Sequence, residues 1–493
     1  MNLGIDFGTT RTVVAVADRG NFPVVGFESA DGDVFDHFPS VAASDGTSLV
    51  FGHEALAKLD KPGWSGLRSF KRLLARPDAA SCPQVRIGAL SIGLDELLVS
   101  FLTALREALV HRSTCPVTPR KKEAFRTFVA VPARASSAQR FLTLEAFRRA
   151  GFQVAGMLNE PSAAGIEYAH RYAKSFTAAR SHVLVYDLGG GTFDISLVEM
   201  GDDQHTVLEN AGVNHLGGED FDRLLLGLAL EQAGAQSTDE TALLERCRVA
   251  KEALTPNSRK IAVDLDEETV QIDVKAFYEV ARPLVEKTID TIGEVLAPGT
   301  DERFDTTVLA GVYVVGGGSD LPAVTRQLKE VFGRRVKRSS YASGATAVGL
   351  AIASSDQAPV LHERFSRTFG VFRELASGAD VAFDPILTRD ARIEPTGSEW
   401  TRRYRPVHNI GHFRFAECDR MGDHGNPLGD LTPFAELRFP FDPALRDADL
   451  SKVEIAHQAG LPVVEERYRV DDNGIVSVKI TDLDSGWSRE QRL

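Results

Sequence analysis

The chain is poor in cysteine. It has four, Cys82, Cys115, Cys247 and Cys418, each far from the others. That spacing offers no paired-cysteine metal site and no disulfide framework, which a chain of 493 residues does not need. The four read as reduced thiols. The twelve histidines show no zinc-type spacing, which argues against a metal cage of protein ligands. Apolar runs fall well short of the roughly 18 residues that cross a bilayer. The start, MNLGIDFGTT, has neither the basic stretch nor the apolar core of a signal peptide. A cytoplasmic protein with no membrane partner is expected. Positive charge is scarce as well: 56 Lys and Arg stand against 69 Asp and Glu, a net charge of −13. Nucleic acid is therefore not expected as a partner. Three basic clusters, Arg120-Lys121-Lys122, Arg334 to Arg338 and Arg402 to Arg405, read as solvated surface.

What is present is a soluble globular balance, 43% hydrophobic and 25% charged, over a length that suggests two or three domains. Strand and helix patterns alternate up to residue 353. Leu94, Leu97, Leu98, Phe101, Leu102, Leu105 and Leu109 share one helical face. TFVAV at 127–131 is a short buried strand. Ser136 and Gln139 form a capping box ahead of a helix that Gly151 ends. A hairpin-like stretch is expected around 205–213, helices over 219–235 and 239–254, and a strand mixing into helix near 275–295. SSDQAP near 354 reads as a linker. Helical periodicity then vanishes, and VVEERYRVDDNGIVSVKITD is a hairpin turning at Asp472-Asn473-Gly474. The expected division is an α/β part at 1–353, a linker at 354–366 and an all-β part at 367–493.

Two stretches carry chemistry. GIDFGTTRTVVAV (4–16) and VYDLGGGTFDISLV (185–198) both run strand, Asp, apolar residue, Gly, Thr, strand. They read as one hairpin duplicated. No Walker-type lysine and no helix pattern follows either. The glycines therefore belong to hairpin tips, where they permit positive φ and close approach of an anion to backbone N–H groups. Two such tips facing each other suit a polyphosphate. Asp6 and Asp187, beside the glycines, would repel phosphate unless a cation lay between, and hydrated Mg²⁺ is the expected one.

With GIDFGTT, VPARASSAQR, NEPSAAGIEY, DLGGGTFD, LGGEDFD and VVGGGSDLP in this order, the chain resembles the heat-shock protein 70 (DnaK-type) chaperones, within the actin, hexokinase and heat-shock ATPase superfamily. The likeness is strong over 2–353. Over 367–493 it is weaker and rests on RYRVDDNGIVSVKITDLDSG. It implies an α/β two-lobed actin-like ATPase domain with ATP or ADP and Mg²⁺ in its cleft, followed by a β-sandwich that binds peptide. It implies that Asp6, Glu160 and Asp187 surround the metal and the attacking water. Lys71 matches the catalytic lysine, and Asp194 the second aspartate of the hairpin. Thr9, Thr10 and Thr192 match phosphate-binding hydroxyls, with Gly8, Gly189, Gly190 and Gly191 as backbone donors. Gly217, Gly218, Lys251, Thr255, Gly316, Gly317 and Gly318 complete the nucleotide site. Pro132 and Arg140 match residues that relay nucleotide state to the linker.

There are departures. In RCRVAKEALT (246–255) the usual glutamate and arginine are exchanged, giving Arg248 and Glu252, which suit an i, i+4 ion pair. Asp320 replaces a second base-stacking arginine, and Ser343 replaces an aspartate. Phosphate gripping is expected to persist while base recognition changes. Gly156 stands where an arginine commonly receives a J-domain co-chaperone, and the linker offers only Pro359-Val360-Leu361-His362-Glu363. Both put J-domain stimulation in doubt. A helical lid is not expected. Two functions follow. One is an ATP-dependent chaperone binding unfolded polypeptide, served by a nucleotide-exchange factor. The other is a nucleotide-gated scaffold, with weak or no ATP hydrolysis, gripping one dedicated protein through RMGDHGNPLGDLTPF (420–434). A small-molecule kinase of the superfamily would leave the β-part unexplained.

Overall fold

The computed structural model describes residues 1–116, 125–173, 176–177, 179–201, 204–234, 240–265, 268–296, 306–355, 360–362, 364–365, 367–375, 380–389, 391, 397–422, 425–429 and 431–493. The basic cluster at 120–122, the linker residues Pro359 and Glu363, and Asp423, His424 and Asp430 of the polar loop lie outside these. The chain divides into two units. One comprises Met1–Ala75, Cys82–Arg134 and Thr143–Leu361; the other comprises Arg76–Ser81, Ala135–Leu142 and His362–Leu493. Among the described residues no helix is long and apolar enough to cross a membrane.

The first unit holds two sheets of like order. In one, Arg126–Val131 runs parallel to Asn2–Phe7, which turns back antiparallel into Arg11–Val16. In the other, Leu309–Val315 runs parallel to His182–Leu188, which turns back into Phe193–Met200. The duplication read in the glycine hairpins is thus a duplication of sheet topology. Alternating Val, Ile, Leu and Tyr make these strands, and both faces are covered, so their side chains are almost all buried. The stretch at 205–213 is not a hairpin of its own. It is one strand, Gln204–Val213, paired with Phe193–Met200, and the break in its alternation is a bulge opposite Leu197 and Val198.

Helices cover the sheets as their patterns require. Leu94–His111 buries the seven apolar residues of its predicted face. Gln139 N–H bonds the Ser136 hydroxyl at 3.2 Å, capping the helix Ser137–Arg149. Strand Gln153–Asn159 runs straight into the helix Glu160–Arg171, with Pro161 in its first turn, where no intrahelical N–H is needed. Glu160 therefore sits at the end of a strand and the start of a helix. The strand expected near 275 ends earlier, at Asp273, and Val274–Leu296 is helix throughout.

The β-strands of the second unit form two antiparallel four-stranded sheets. One is ordered Asp380–Leu387, Thr368–Leu375, Ile410–Cys418, Thr432–Pro440; the other Ser398–Tyr404, Val464–Val470, Val476–Asp482, Ser488–Arg492. Their shared core includes Phe369, Val371, Phe415, Phe439, Tyr468, Val478 and Ile480. Gly474, at φ 74°, makes the predicted turn between the Val464 and Val476 strands. Within the polar loop, Arg420–Met421 pairs with Pro427–Leu428 as a small ribbon. Among the buried acids of this unit is Glu466, fully buried, which accepts Arg373 at 2.9 and 2.6 Å and the Tyr404 and Tyr468 hydroxyls at 2.5 Å each.

Candidate functional site

The two glycine hairpins of the first unit meet tip to tip. A Cβ on Gly190 would stand 2.4 Å from the Thr10 hydroxyl, and one on Gly191 would stand 2.4 Å from that of Thr9. None of Gly189 to Gly191 adopts the left-handed conformation that the sequence led one to expect. Glycine is required here by close approach instead. Gly316 does take positive φ, 80°, and a Cβ there would strike the Leu188 carbonyl and the Asp187 carboxylate.

The second tip is braced from behind. Gly218 N–H bonds the Gly189 carbonyl at 2.9 Å, Glu219 N–H the Gly190 carbonyl at 2.8 Å, and Arg72 the Gly191 carbonyl at 2.9 Å. In a trans peptide the N–H points opposite to the C=O. The amides of Gly190, Gly191 and Thr192 therefore turn away from the brace. Gly189, Gly190 and Thr192 line a cleft together with Gly8, Thr9 and Thr10 of the first tip.

Asp6, Lys71, Glu160 and Asp187 line the same cleft. Lys71 is not the surface lysine its neighbour Arg72 could suggest. It is buried on the turn Phe70–Ala75, and its ammonium lies 2.6 Å from Glu160. Burial alone would lower Lys71; Glu160 and Asp6 outweigh it and raise it. Burial, then the Glu160 carboxylate, push Asp6 up to about 7 against the pull of Lys71. Burial and the carboxylates of Glu160, Asp6 and Asp194 hold Asp187 well above the usual range. Asp194, buried and repelled by Glu160, also rises to about 7, although Ala133 N–H donates to it at 3.0 Å. Negative charge here exceeds what one lysine offsets, and a divalent cation fits that surplus. Among the described residues no three His, Cys, Asp or Glu side chains converge on a metal position.

Gly218, Lys251, Gly316, Gly317 and Gly318 also line the cleft. Lys251 is committed to the Gly218 carbonyl at 2.6 Å and to Asp222 at 2.7 Å. Gly191 and Gly217 are not part of the lining; Gly191 packs on the Thr9 side chain, and Gly217 packs on the backbone of Gly190 and Gly191. Thr255 is not brought to the cleft; its hydroxyl bonds Ser258. Pro132 is buried and not part of the lining; Arg140, in the second unit, is buried too.

The family described as Hsp70 protein matches residues 118–366. The chain is 28% identical over 519 residues to Chaperone protein DnaK of Thermotoga neapolitana, covering 98% of this chain and 78% of that protein. It is 26% identical to Chaperone protein DnaK of Mycoplasmopsis agalactiae, covering 100% of this chain and 78% of that protein. Against Chaperone protein HscA homolog of Chromobacterium violaceum the identity is 31%, over 71% of this chain and 57% of that protein. The chain belongs to the Hsp70 family.

Ion pairs and a tyrosine hydrogen bond join distant segments around the Hsp70 cleft. Arg248 pairs with Glu252 at 2.8 Å, the i, i+4 bridge its spacing allows, and also with Glu245. Glu252 pairs in turn with Arg11, across from the first hairpin. Tyr341 donates to Asp36 at 2.6 Å, another link between distant segments, and Asp320 pairs with Arg338. The cleft, which Arg11, Arg248 and Glu252 help to line, holds about 80 Å³ of open space. Small-molecule sites usually offer about 300–1,000 Å³, more than this cleft leaves open.

Sequence reasoning missed Arg72. It joins the Gly191 carbonyl to Asp220, 2.6 Å away, and Asp220 itself caps Gly217 N–H at 2.8 Å. The signal was present in LGGEDFD, where an acid follows the glycines at a capping distance. The arginine that completes it lies 148 residues earlier.

Proposed function

We propose that this Hsp70 binds and hydrolyses Mg·ATP in the hairpin cleft and uses the cycle to control polypeptide binding by its β-unit. The observation that carries the reading is the pair of facing glycine–threonine tips with Lys71, Glu160, Asp6 and Asp187 between them. The amides of Gly190, Gly191 and Thr192, with Gly8 and the hydroxyls of Thr9, Thr10 and Thr192, bind phosphate oxygens. Asp6 and Asp187 hold Mg²⁺ through its waters, and the ion supplies charge that offsets the triphosphate. Lys71 meets the charge that develops on the terminal phosphoryl group. Glu160 positions Lys71 and the attacking water. Such a site works by placement and electrostatics.

Gly316 to Gly318 and Lys251 shape the floor. Pro132 and Arg140 relay cleft closure, since Ala133, next to Pro132, bonds the hairpin residue Asp194. A nucleotide-exchange factor fits a cleft with so little open space. The β-unit, in this reading, takes extended polypeptide, and the protein works in the cytoplasm.

The test is calorimetric titration with Mg·ATP, Mg·ADP and Mg·GTP on wild type and Asp187→Ala, then single-turnover hydrolysis by Lys71→Ala, then ATP-triggered release of a bound unfolded polypeptide. Binding lost in Asp187→Ala and turnover lost in Lys71→Ala are expected. Nucleotide binding that survives Asp187→Ala unchanged would overturn the site, and polypeptide release indifferent to ATP would overturn the coupling.

A further inference from the structure

The β-unit contains a cavity of about 500 Å³. Its wall includes Arg373, Arg402, Arg403, Arg405 and Arg414, and among the described residues its only carboxylate is Asp384. The sequence cluster at 402–405 is therefore part of a built concavity, not plain solvated surface. Three of the arginines have acid partners. Arg373 is shared between Glu466 and Asp384, Arg402 leans on Asp384 at 3.3 Å, and Arg403 pairs with Glu465 at 2.6 Å. Two do not. Arg405 donates to the Leu461 carbonyl, and Arg414 lies over the Phe372 ring at 6.0 Å. Among the described residues no carboxylate pairs with either, and both are exposed. The lining also includes Val407, half exposed, and the buried Ile410, Phe413 and Phe441, which make its apolar part.

We infer that this cavity takes an acidic, partly apolar polypeptide segment: one large apolar side chain on the apolar part, with aspartate or glutamate reaching Arg405 and Arg414. The inference rests on the polypeptide-binding reading above and adds its substrate class. The argument is charge complementarity. A protein of net charge −13 gathers five arginines around one aspartate at this cavity. The two without acid partners line it together with those apolar residues, and a guanidinium offers a carboxylate two parallel hydrogen bonds. A basic segment would meet like charge, which excludes it as well as selecting the acidic one.

The test uses the full chain and three fluorescent decapeptides sharing a Leu-Leu-Val centre, flanked by Glu, by Ser or by Lys. Anisotropy titrations are made on wild type, on Arg405→Gln/Arg414→Gln and on Arg405→Glu/Arg414→Glu. Both positions are exposed, and far-ultraviolet dichroism checks that the variants fold. The Glu-flanked peptide is expected to bind about tenfold more tightly than the Ser-flanked one, from two exposed charge pairs of about threefold each. That preference should vanish in the Gln pair, reverse toward Lys flanks in the Glu pair, and shrink between 50 and 500 mM salt. Equal binding of all three peptides, or preference for Lys flanks in wild type, overturns the inference and leaves the polypeptide-binding reading standing. Binding of none overturns both. Tight binding of free glutamate, with no gain from the apolar centre, overturns the polypeptide assignment in favour of a small anion.

Discussion

The Lys71 ammonium and the Glu160 carboxylate stand 2.6 Å apart, both buried, joining a turn near residue 70 to the first residue of a helix 89 positions later. Two aspartates, the half-buried Asp6 and the buried Asp187, line the same cleft. Removing one member of such a pair leaves the other as an uncompensated buried charge.

Lys71→Met is therefore expected to lower the unfolding free energy of the nucleotide-free protein by about 3–5 kcal/mol. Lys71→Met/Glu160→Gln should recover a large part of it. Urea unfolding of the four-member cycle measures both. Additive losses would mean the contact carries no energy of its own.

The raised aspartates set a pH dependence. Unfolded, an aspartate ionises near 3.9. Folded, Asp6 and Asp194 hold their protons to about 7, and Asp187 is held above its usual range too. Between those values the folded state binds more protons than the unfolded one, so stability falls as pH rises. The contribution is complete below about pH 4 and is lost through about pH 7. Thermal midpoints of nucleotide-free protein should thus fall between pH 5.5 and 7.5, and Asp194→Asn should flatten the fall. A midpoint rising over that range in wild type, and unmoved in slope by Asp194→Asn, would contradict the assignment.

Gly190→Ala is expected to weaken Mg·ADP binding by on the order of tenfold or more, because the new methyl group meets Thr10 at 2.4 Å and must part the tips. Adding Thr10→Ala should restore part of the loss by removing the nearest atoms. Calorimetric titration of wild type and both variants decides it. Unchanged affinity in the single variant would mean the tips are not held together when nucleotide binds.

In the β-unit, Arg373→Met is expected to cost about 3–5 kcal/mol, since Glu466 would keep its charge with only tyrosine hydroxyls beside it. Arg373→Met/Glu466→Gln should be markedly more stable than the single variant. Chemical unfolding followed by tryptophan fluorescence reads this directly.

The hairpins were legible because their chemistry is local. Strand alternation, Asp, Gly and Thr fall within a dozen residues, and the same order occurs twice. The seven-residue face of the 94–111 helix was legible for the same reason. Lys71 was legible only through family resemblance, since nothing in SFKRLL distinguishes a buried cation from an exposed one. Arg72 and Glu466 were not legible. Their partners lie 148 and 93 residues away, and which charges meet is decided by sheet register, not by neighbours in the chain. The positive φ expected at Gly189 to Gly191 failed on similar grounds. The demand on those glycines comes from an opposing hairpin about 180 residues distant, not from their own turn.

The bond from Ala133 N–H to Asp194 fastens the first sheet's segment to the second hairpin at a buried point, whereas Arg11–Glu252 and Asp36–Tyr341 fasten the cleft at its surface. A rotation that pivots near the buried bond moves the surface pairs through the larger arc. The outer pairs would then part well before the buried bond does, so force applied at the surface is multiplied on its way to the inner end of the cleft.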